Sequence, residues 1–537
     1  MTDFAITRRT VLGAVGAASF IPGVAAAREA TRNTVETSGG KVRGVAGDGV
    51  VVFKGMRYAA STAGTGRFRP PVPTHWSGTF DATAFGDQSP QVRTPLADSG
   101  PMSEDCLRVN VWTPRLDGAR RPVMLWFHGG GFEAGSASQP LYDGTRLARR
   151  GDVVVVSINH RLNVFGHCYL ADRLGSDYAL SGNVGFLDLV AALRWVRANI
   201  ASFGGDPGNI TIFGQSGGGR KVSLCYASPA ADGLFARGIV QSGSHLLVQT
   251  PAQAGRLVDL LLGKLGVAGG DARKLLDVPT DMLVEAQRAA IADAGYRFEP
   301  VRDGQVFREQ PFIPRAPSRT AALPMMLGTT RTELSNQLGS ANPKLFNLPE
   351  VALPLAVGRF VGADRASEAI DIFRRSRPEA SPAELFFTIA SARGYGLDQT
   401  IMADARVSAG GRGKTWVYKL AWRSPAEGGR RISQHTLDLP LIFDNVAAGE
   451  RLVGPPTGET TAMANQMADS WIAFAKAGNP NNASIPAWSP YDLEKRATMI
   501  FDVPPRAEDD PWREERVFMS GFPTQQGALG RYRSADS

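Results

Sequence analysis

Asn209-Ile-Thr-Ile-Phe-Gly-Gln-Ser-Gly-Gly-Gly219 joins a β-prone run to the pentad Gly214-Gln215-Ser216-Gly217-Gly218. A serine on a sharp strand-to-helix turn needs glycine two positions away on either side, because a side chain there meets neighbouring backbone. The pentad has that spacing. In a chain with 60 glycines among 537 residues the pattern alone is weak, so its flanks decide. Lys221-Val-Ser-Leu-Cys-Tyr226 contains neither Gly nor Pro and continues as a helix, which gives the order strand, turn, helix. Upstream, Pro122-Val-Met-Leu-Trp-Phe127 reads as a buried strand that runs into His128-Gly-Gly-Gly-Phe132. Glycines there let backbone N–H groups converge on one point. Convergent donors stabilise a developing oxyanion, and one such donor contributes about 2.7–4 kcal/mol.

Further segments share the order of a known family. They are Val52-Phe-Lys-Gly-Met-Arg-Tyr-Ala59, Ser103-Glu-Asp-Cys-Leu-Arg-Val-Asn-Val-Trp-Thr-Pro114, Gly182-Asn-Val-Gly-Phe-Leu-Asp188, Phe203-Gly-Gly-Asp-Pro207 and Val240-Gln-Ser-Gly243. With the glycine run and the pentad, the chain from about residue 35 to about residue 516 resembles a type-B carboxylesterase, the α/β-hydrolase family that also contains the cholinesterases. The resemblance implies an α/β fold: a large, mostly parallel central sheet with helices on both faces and a helical cap built from insertions. It also implies that Ser216 is a nucleophile and that Gly130, Gly131 and Gly217 supply oxyanion-hole N–H groups.

In that fold the nucleophile is followed by an acid and then a histidine. Of the six histidines, His75, His128, His160 and His167 precede Ser216. His245 comes before any plausible acid segment, whereas His435 opens Gln434-His-Thr-Leu-Asp-Leu-Pro-Leu-Ile-Phe443, which is similar to the family's histidine loop. His435 is therefore expected to be the general base. The apolar run Leu323-Pro-Met-Met-Leu-Gly328 leads into Thr329-Thr-Arg-Thr-Glu333, at a strand end where functional residues of open α/β sheets collect. The family spacing gives Glu333 the task of orienting the imidazole and stabilising its charged form. Ser242 resembles the family's serine beside the acid.

Several positions depart from the family pattern. Gln215 stands where relatives carry glutamate, which weakens attraction for cationic esters of the choline type. Met56-Arg57 replaces Ile-Pro, and Arg108 replaces an aromatic. Ser89 occupies the position of a family cysteine, so the usual bridge to Cys106 cannot form, and Cys106, Cys168 and Cys225 provide neither a disulfide framework nor paired metal-ligand spacing. No metal or other cofactor is expected. Cys225 is expected to pack as a small apolar group. Phe132 and Gln215 are expected in the substrate pocket, Phe132 on the acyl side. Arg220 and Lys221 follow the nucleophile, with no direction assigned to their side chains.

Thr7-Arg-Arg-Thr-Val-Leu12, an apolar stretch and Ala25-Ala-Ala27 together read as a twin-arginine export signal over residues 1–27, which implies a bacterial protein of the periplasm or exterior. The apolar stretch is shorter than the roughly 20 residues of a spanning helix. Residues 28–537 are expected to form one catalytic domain, its strands at 153–157, 210–213, 237–240, 323–327 and 415–420 and a core helix over 185–199. Mainly helical segments at 255–283 and 343–393 form the cap. The net charge is +8, but the basic residues are scattered among 51 acidic ones, so nucleic acid is not the expected partner. A small-molecule ester substrate is, and the protein is expected to be a monomer or weak homo-oligomer. Arg67 with Glu104, and Arg161 with Asp188, match family ion pairs. The same three side chains would serve an amidase, a carbamate hydrolase or an acyltransferase, and a non-catalytic binding protein is the remaining alternative.

Overall fold

Along Arg121–Phe127, Val123, Leu125 and Phe127 face one side and Met124 and Trp126 the other, and all five are fully buried. A strand that is apolar on both faces belongs inside a covered parallel sheet. The computed structural model describes residues 33–94, 100–267 and 271–526. Its main sheet has eleven strands. In chain order they are β1 Val45–Gly47, β2 Val50–Arg57, β3 Arg108–Thr113, β4 Arg121–Phe127, β5 Val154–Ile158, β6 Gly205–Gln215, β7 Arg237–Gln241, β8 Met325–Thr330, β9 Thr415–Leu420, β10 Ala497–Phe501 and β11 Arg506–Asp509. The spatial order is β1-β2-β3-β5-β4-β6-β7-β8-β9-β10-β11. From β5 through β10 every neighbouring pair is parallel, and the outer pairs are antiparallel.

The helices used below are α1 Val184–Asn199, α2 Gly217–Ala227, α3 Pro251–Lys264, α4 Thr280–Ala294, α5 Glu333–Ala341, α6 Leu353–Val361, α7 Ala366–Arg375, α8 Pro382–Ser391 and α9 Gly458–Ala477. One face of the sheet packs on α1 and α2 through Leu189, Leu193, Val222 and Leu224. The other packs on α9 through Met463, Met467, Trp471 and Phe474. Two further apolar clusters lie apart from the sheet. One joins α3 to α4 and runs on past the cap segment expected at 255–283, and the other joins α6, α7 and α8 within the segment expected at 343–393.

The expected strands are all present, the one at 415–420 with the expected bounds and the others with shifted ends. The strand anticipated at 323–327 starts at Met325, since Pro324 has no N–H to give a ladder. The antiparallel strands β1 to β3 and β11 were not anticipated. Arg161 and Asp188 pair at 2.6 Å in full burial, and Arg67 pairs with Glu104. The two unusual arginines share one carboxylate: Asp105 lies 2.5 Å from Arg57 and 2.6 Å from Arg108, which also donates to the Gly55 carbonyl. Cys106, Cys168 and Cys225 are free and buried. Among the described residues one helical run, Ser176–Phe203, is long and apolar enough to span a membrane, and it is largely buried core. The export segment at 1–27 lies outside the described residues.

Candidate active site

Ser216 joins β6 to α2 with φ 57° and ψ −121°, a conformation that a non-glycine residue holds only when its surroundings compel it. The surroundings are backbone. A Cβ on Gly218 would run into the Phe127 carbonyl, and one on Gly217 into the backbone of Gly131. The turn is tied down by Ser216 N–H donating to the Gln241 carbonyl at 2.8 Å and by Arg220 N–H donating to the Ser216 carbonyl at 3.0 Å. Gly217 opens α2, where the first N–H groups have no intrahelical acceptor. Gly130 and Gly131 both have positive φ, so the glycine loop curls against the start of that helix.

Glu333 and His435 meet although 101 residues separate them in sequence. His435 Nδ1 lies 2.5 Å from Glu333 Oε2, while Glu333 Oε1 accepts from Ser242 Oγ at 2.6 Å and from Thr330 N–H at 2.7 Å. Glu333 is fully buried at the first position of α5, and burial alone would raise its carboxyl. The His435 charge and the hydrogen bonds from His435, Ser242 and Thr330 outweigh that and hold it below the ordinary glutamate value. The Gln215 side-chain nitrogen lies 3.2 Å from His435 Nε2 and 3.4 Å from Nδ1, so the imidazole stands against the residue that precedes Ser216. Ser216 and His435 open onto one cavity of about 2020 Å³, to which Gly130, Gly131, Gln215, Ser242 and the cap helices α4, α6 and α8 also contribute.

The carboxylesterase family model matches residues 31–352 and 386–519. The chain belongs to the carboxylesterase family. The unmatched residues 353–385 hold α6, α7 and the start of α8, so the stretch of this carboxylesterase that departs from the family model is part of its cap. The para-nitrobenzyl esterase of Bacillus subtilis is 35% identical over 506 residues, covering 90% of this chain and 98% of that protein. A solved Geobacillus stearothermophilus carboxylesterase superposes with a TM-score of 0.79 at 37% identity, covering 91% of this chain and all of that one. An esterase of Clostridium hathewayi, described as able to hydrolyse aliphatic aromatic polyesters, superposes at 0.77 with 34% identity over 91% and 98% of the two chains. The fold is the α/β-hydrolase fold, and the carboxylesterase is a serine ester hydrolase that works through an acyl-enzyme.

Phe132 corrects an expectation. It is 2% exposed, off the cavity wall, and packs edge-on against His167 and His245, and its carbonyl accepts from Asn163 N–H at 2.6 Å, which ties the loop after Gly131 inward. Lys221 also turns inward. Its ammonium, 1% exposed as a residue, donates to the carbonyls of His128 at 2.9 Å and Gly131 at 3.1 Å. Burial, helped by the nearby Arg220 charge, drops it to about 7. Arg220, by contrast, faces the cavity. Sequence reasoning missed Arg297, whose guanidinium fills the space beside Gly131, and Tyr395, whose ring is 5.2 Å from that of His435. Neither lies in a motif that could have signalled it. His245 was set aside as a base, yet it lines the cavity.

Proposed function

We propose that Ser216 attacks the ester carbonyl while His435 takes its proton, with Glu333 holding the imidazole in the productive tautomer. The N–H groups of Gly130, Gly131 and Gly217 receive the oxyanion, the alcohol leaves with the proton from His435, and a water activated by the same histidine releases the acid. The observation that carries this assignment is the hydrogen-bonded line from Ser242 through Glu333 to His435, ending against the elbow residue Gln215. Small to medium organic esters suit the open cavity, and aromatic or polyester-derived esters are the classes named for the relatives.

Ser216→Ala is expected to lower turnover of p-nitrophenyl butyrate by about 10⁴-fold or more. An organophosphonate should label Ser216 in the wild type, as read by mass spectrometry of the tryptic peptide. Labelling elsewhere, or turnover surviving in the variant, would refute the assignment.

The same reading takes this as an exported bacterial enzyme, its residues 1–27 a twin-arginine signal. Its support is Arg8-Arg9 before an apolar stretch, together with three free buried thiols in a fold that needs no disulfide. Replacing Arg8 and Arg9 by lysine should hold the enzyme in the cytoplasmic fraction. Unchanged export would count against that address.

A further inference from the structure

The cavity beside the elbow is cationic. Seven arginines line it against four acidic residues. Arg220 lies one turn into α2, four residues and about 6 Å along the axis from Ser216, and its side chain lines the cavity with no ion pair or hydrogen bond to any described residue. Arg297 fills the space beside Gly131 and reaches Glu133 at 3.3 Å. His245 is 2% exposed and lines the same cavity, yet neither ring nitrogen has a hydrogen-bond partner. Burial, with the charges of Arg220 and Arg297, holds this imidazole well below its ordinary value, so it is a neutral ring with one unused donor and one unused acceptor.

None of the four acidic residues on the wall forms an ion pair with Arg220. Glu133 is engaged by Arg297. Burial pushes the Glu299 carboxyl up against the pull of the Arg297 and Arg220 charges, and it raises Asp398, one of whose oxygens is already held by Gln526 at 2.6 Å, to about 6. Glu427, the fourth, pairs with Arg430 and Arg431. A free guanidinium and an unpartnered donor facing one space match a planar anion.

We propose that Arg220, with His245 and Arg297 beside it, binds a carboxylate that the substrate carries outside its scissile bond, which makes carboxylate-bearing esters the preferred class. This rests on the ester-hydrolase assignment and names its substrate. Short half-esters of dicarboxylic acids span the single helical turn between Ser216 and Arg220. Hydrolysis of such an ester consumes water and yields the alcohol and the free dicarboxylic acid.

Two matched pairs test it: p-nitrophenyl hemiglutarate against p-nitrophenyl valerate, with the carboxylate on the acyl side, and 4-carboxyphenyl valerate against 4-methylphenyl valerate, with it on the alcohol side. In at least one pair the acidic ester should have a kcat/KM about ten- to a hundred-fold above its neutral match, chiefly through KM. Which pair shows it locates the carboxylate. The preference should fall toward one in Arg220→Gln, persist in part in Arg220→Lys, and shrink as salt approaches 1 M, where the screening length is about 3 Å. A ratio near or below one in both wild-type pairs, or a preference untouched in Arg220→Gln, overturns the proposal. Calorimetry separates the two readings. At least one of monophenyl glutarate, with its carboxylate on the acyl side, and 4-carboxyphenyl valerate, with it on the alcohol side, should bind Ser216→Ala at least about tenfold more tightly than it binds the variant that also carries Arg220→Gln. Equal binding of both esters overturns the carboxylate site. No turnover of any ester with that difference intact overturns the hydrolase assignment alone.

Discussion

The ammonium of Lys221 donates to the carbonyl of Gly131 at 3.1 Å. Its second bond, 2.9 Å to the carbonyl of His128, completes a bracket across the two ends of the glycine loop. The bracket is made by a residue of α2, so the loop proposed to carry oxyanion donors is clamped to the helix that begins at the proposed nucleophile. A buried charge is costly, and these two carbonyls offset only part of that cost, since burial still lowers the group to about 7.

Lys221→Met keeps the bulk and removes both bonds. The loop should lose its register, and kcat should drop by about ten- to a hundred-fold with a smaller effect on KM. The variant also tests linkage. The folded-state value of Lys221 is lowered to about 7 from 10.5, so between those pH values the unfolded chain binds more protons and the contribution of this group to stability rises with pH. Urea midpoints measured from pH 7 to 10 should therefore climb less steeply in Lys221→Met than in the wild type. An unchanged kcat would remove the clamp from the account.

Glu333 has the opposite dependence. Its folded-state value lies below the ordinary glutamate value, so its contribution is present above that ordinary value and is lost as pH falls through the lower folded one. Glu333→Gln lacks this contribution. Its urea midpoint should be lower than that of the wild type at pH 7 and converge with it on acidification. Turnover should fall by about 10⁴-fold, as expected when the partner that selects the histidine tautomer loses its charge.

Ser242→Ala deletes one of three hydrogen bonds to the Glu333 carboxylate, leaving those from Thr330 and His435. A bond to a charged group contributes about 1.5–3 kcal/mol, of which the relaxed carboxylate recovers part. Steady-state kinetics should show kcat lower by roughly tenfold and KM little changed. No loss would mean that the other two bonds suffice to hold Glu333.

Gly218→Ala places a methyl group against the Phe127 carbonyl, where neither β4 nor α2 can retreat without breaking the sheet or the elbow. The expected cost is about 3 kcal/mol or more, read as a lowered urea midpoint. Gly118→Ala is the control: nothing lies within 4 Å of its added methyl group, and its effect should stay within about 0.5 kcal/mol.

The elbow and the glycine loop were legible because each rests on a local rule, and the pairing of Glu333 with His435 because the family resemblance supplies the order and spacing of the acid and the histidine. Glycine is required where a Cβ would strike backbone, and the chain order of the three functional groups is a property of the fold. The positions of Lys221, Arg220, His245 and Phe132 were not legible. Arg220 and Lys221 are adjacent on one helix, and the 100° step between neighbours sends one into the cavity and the other beneath the glycine loop. Phe132 follows the same loop but packs inward against His245, which arrives from the far end of β7.

Spacing and residue type alone determined that a serine would stand on a strained turn between a strand and a helix, because that feature is written in short-range backbone sterics, while the acid and the histidine that follow it came from the family resemblance. Only the tertiary structure decided which cations face the substrate space and which brace the loop. A side chain's direction depends on what distant segments leave unfilled, and no nearest-neighbour pattern along the chain contains that information.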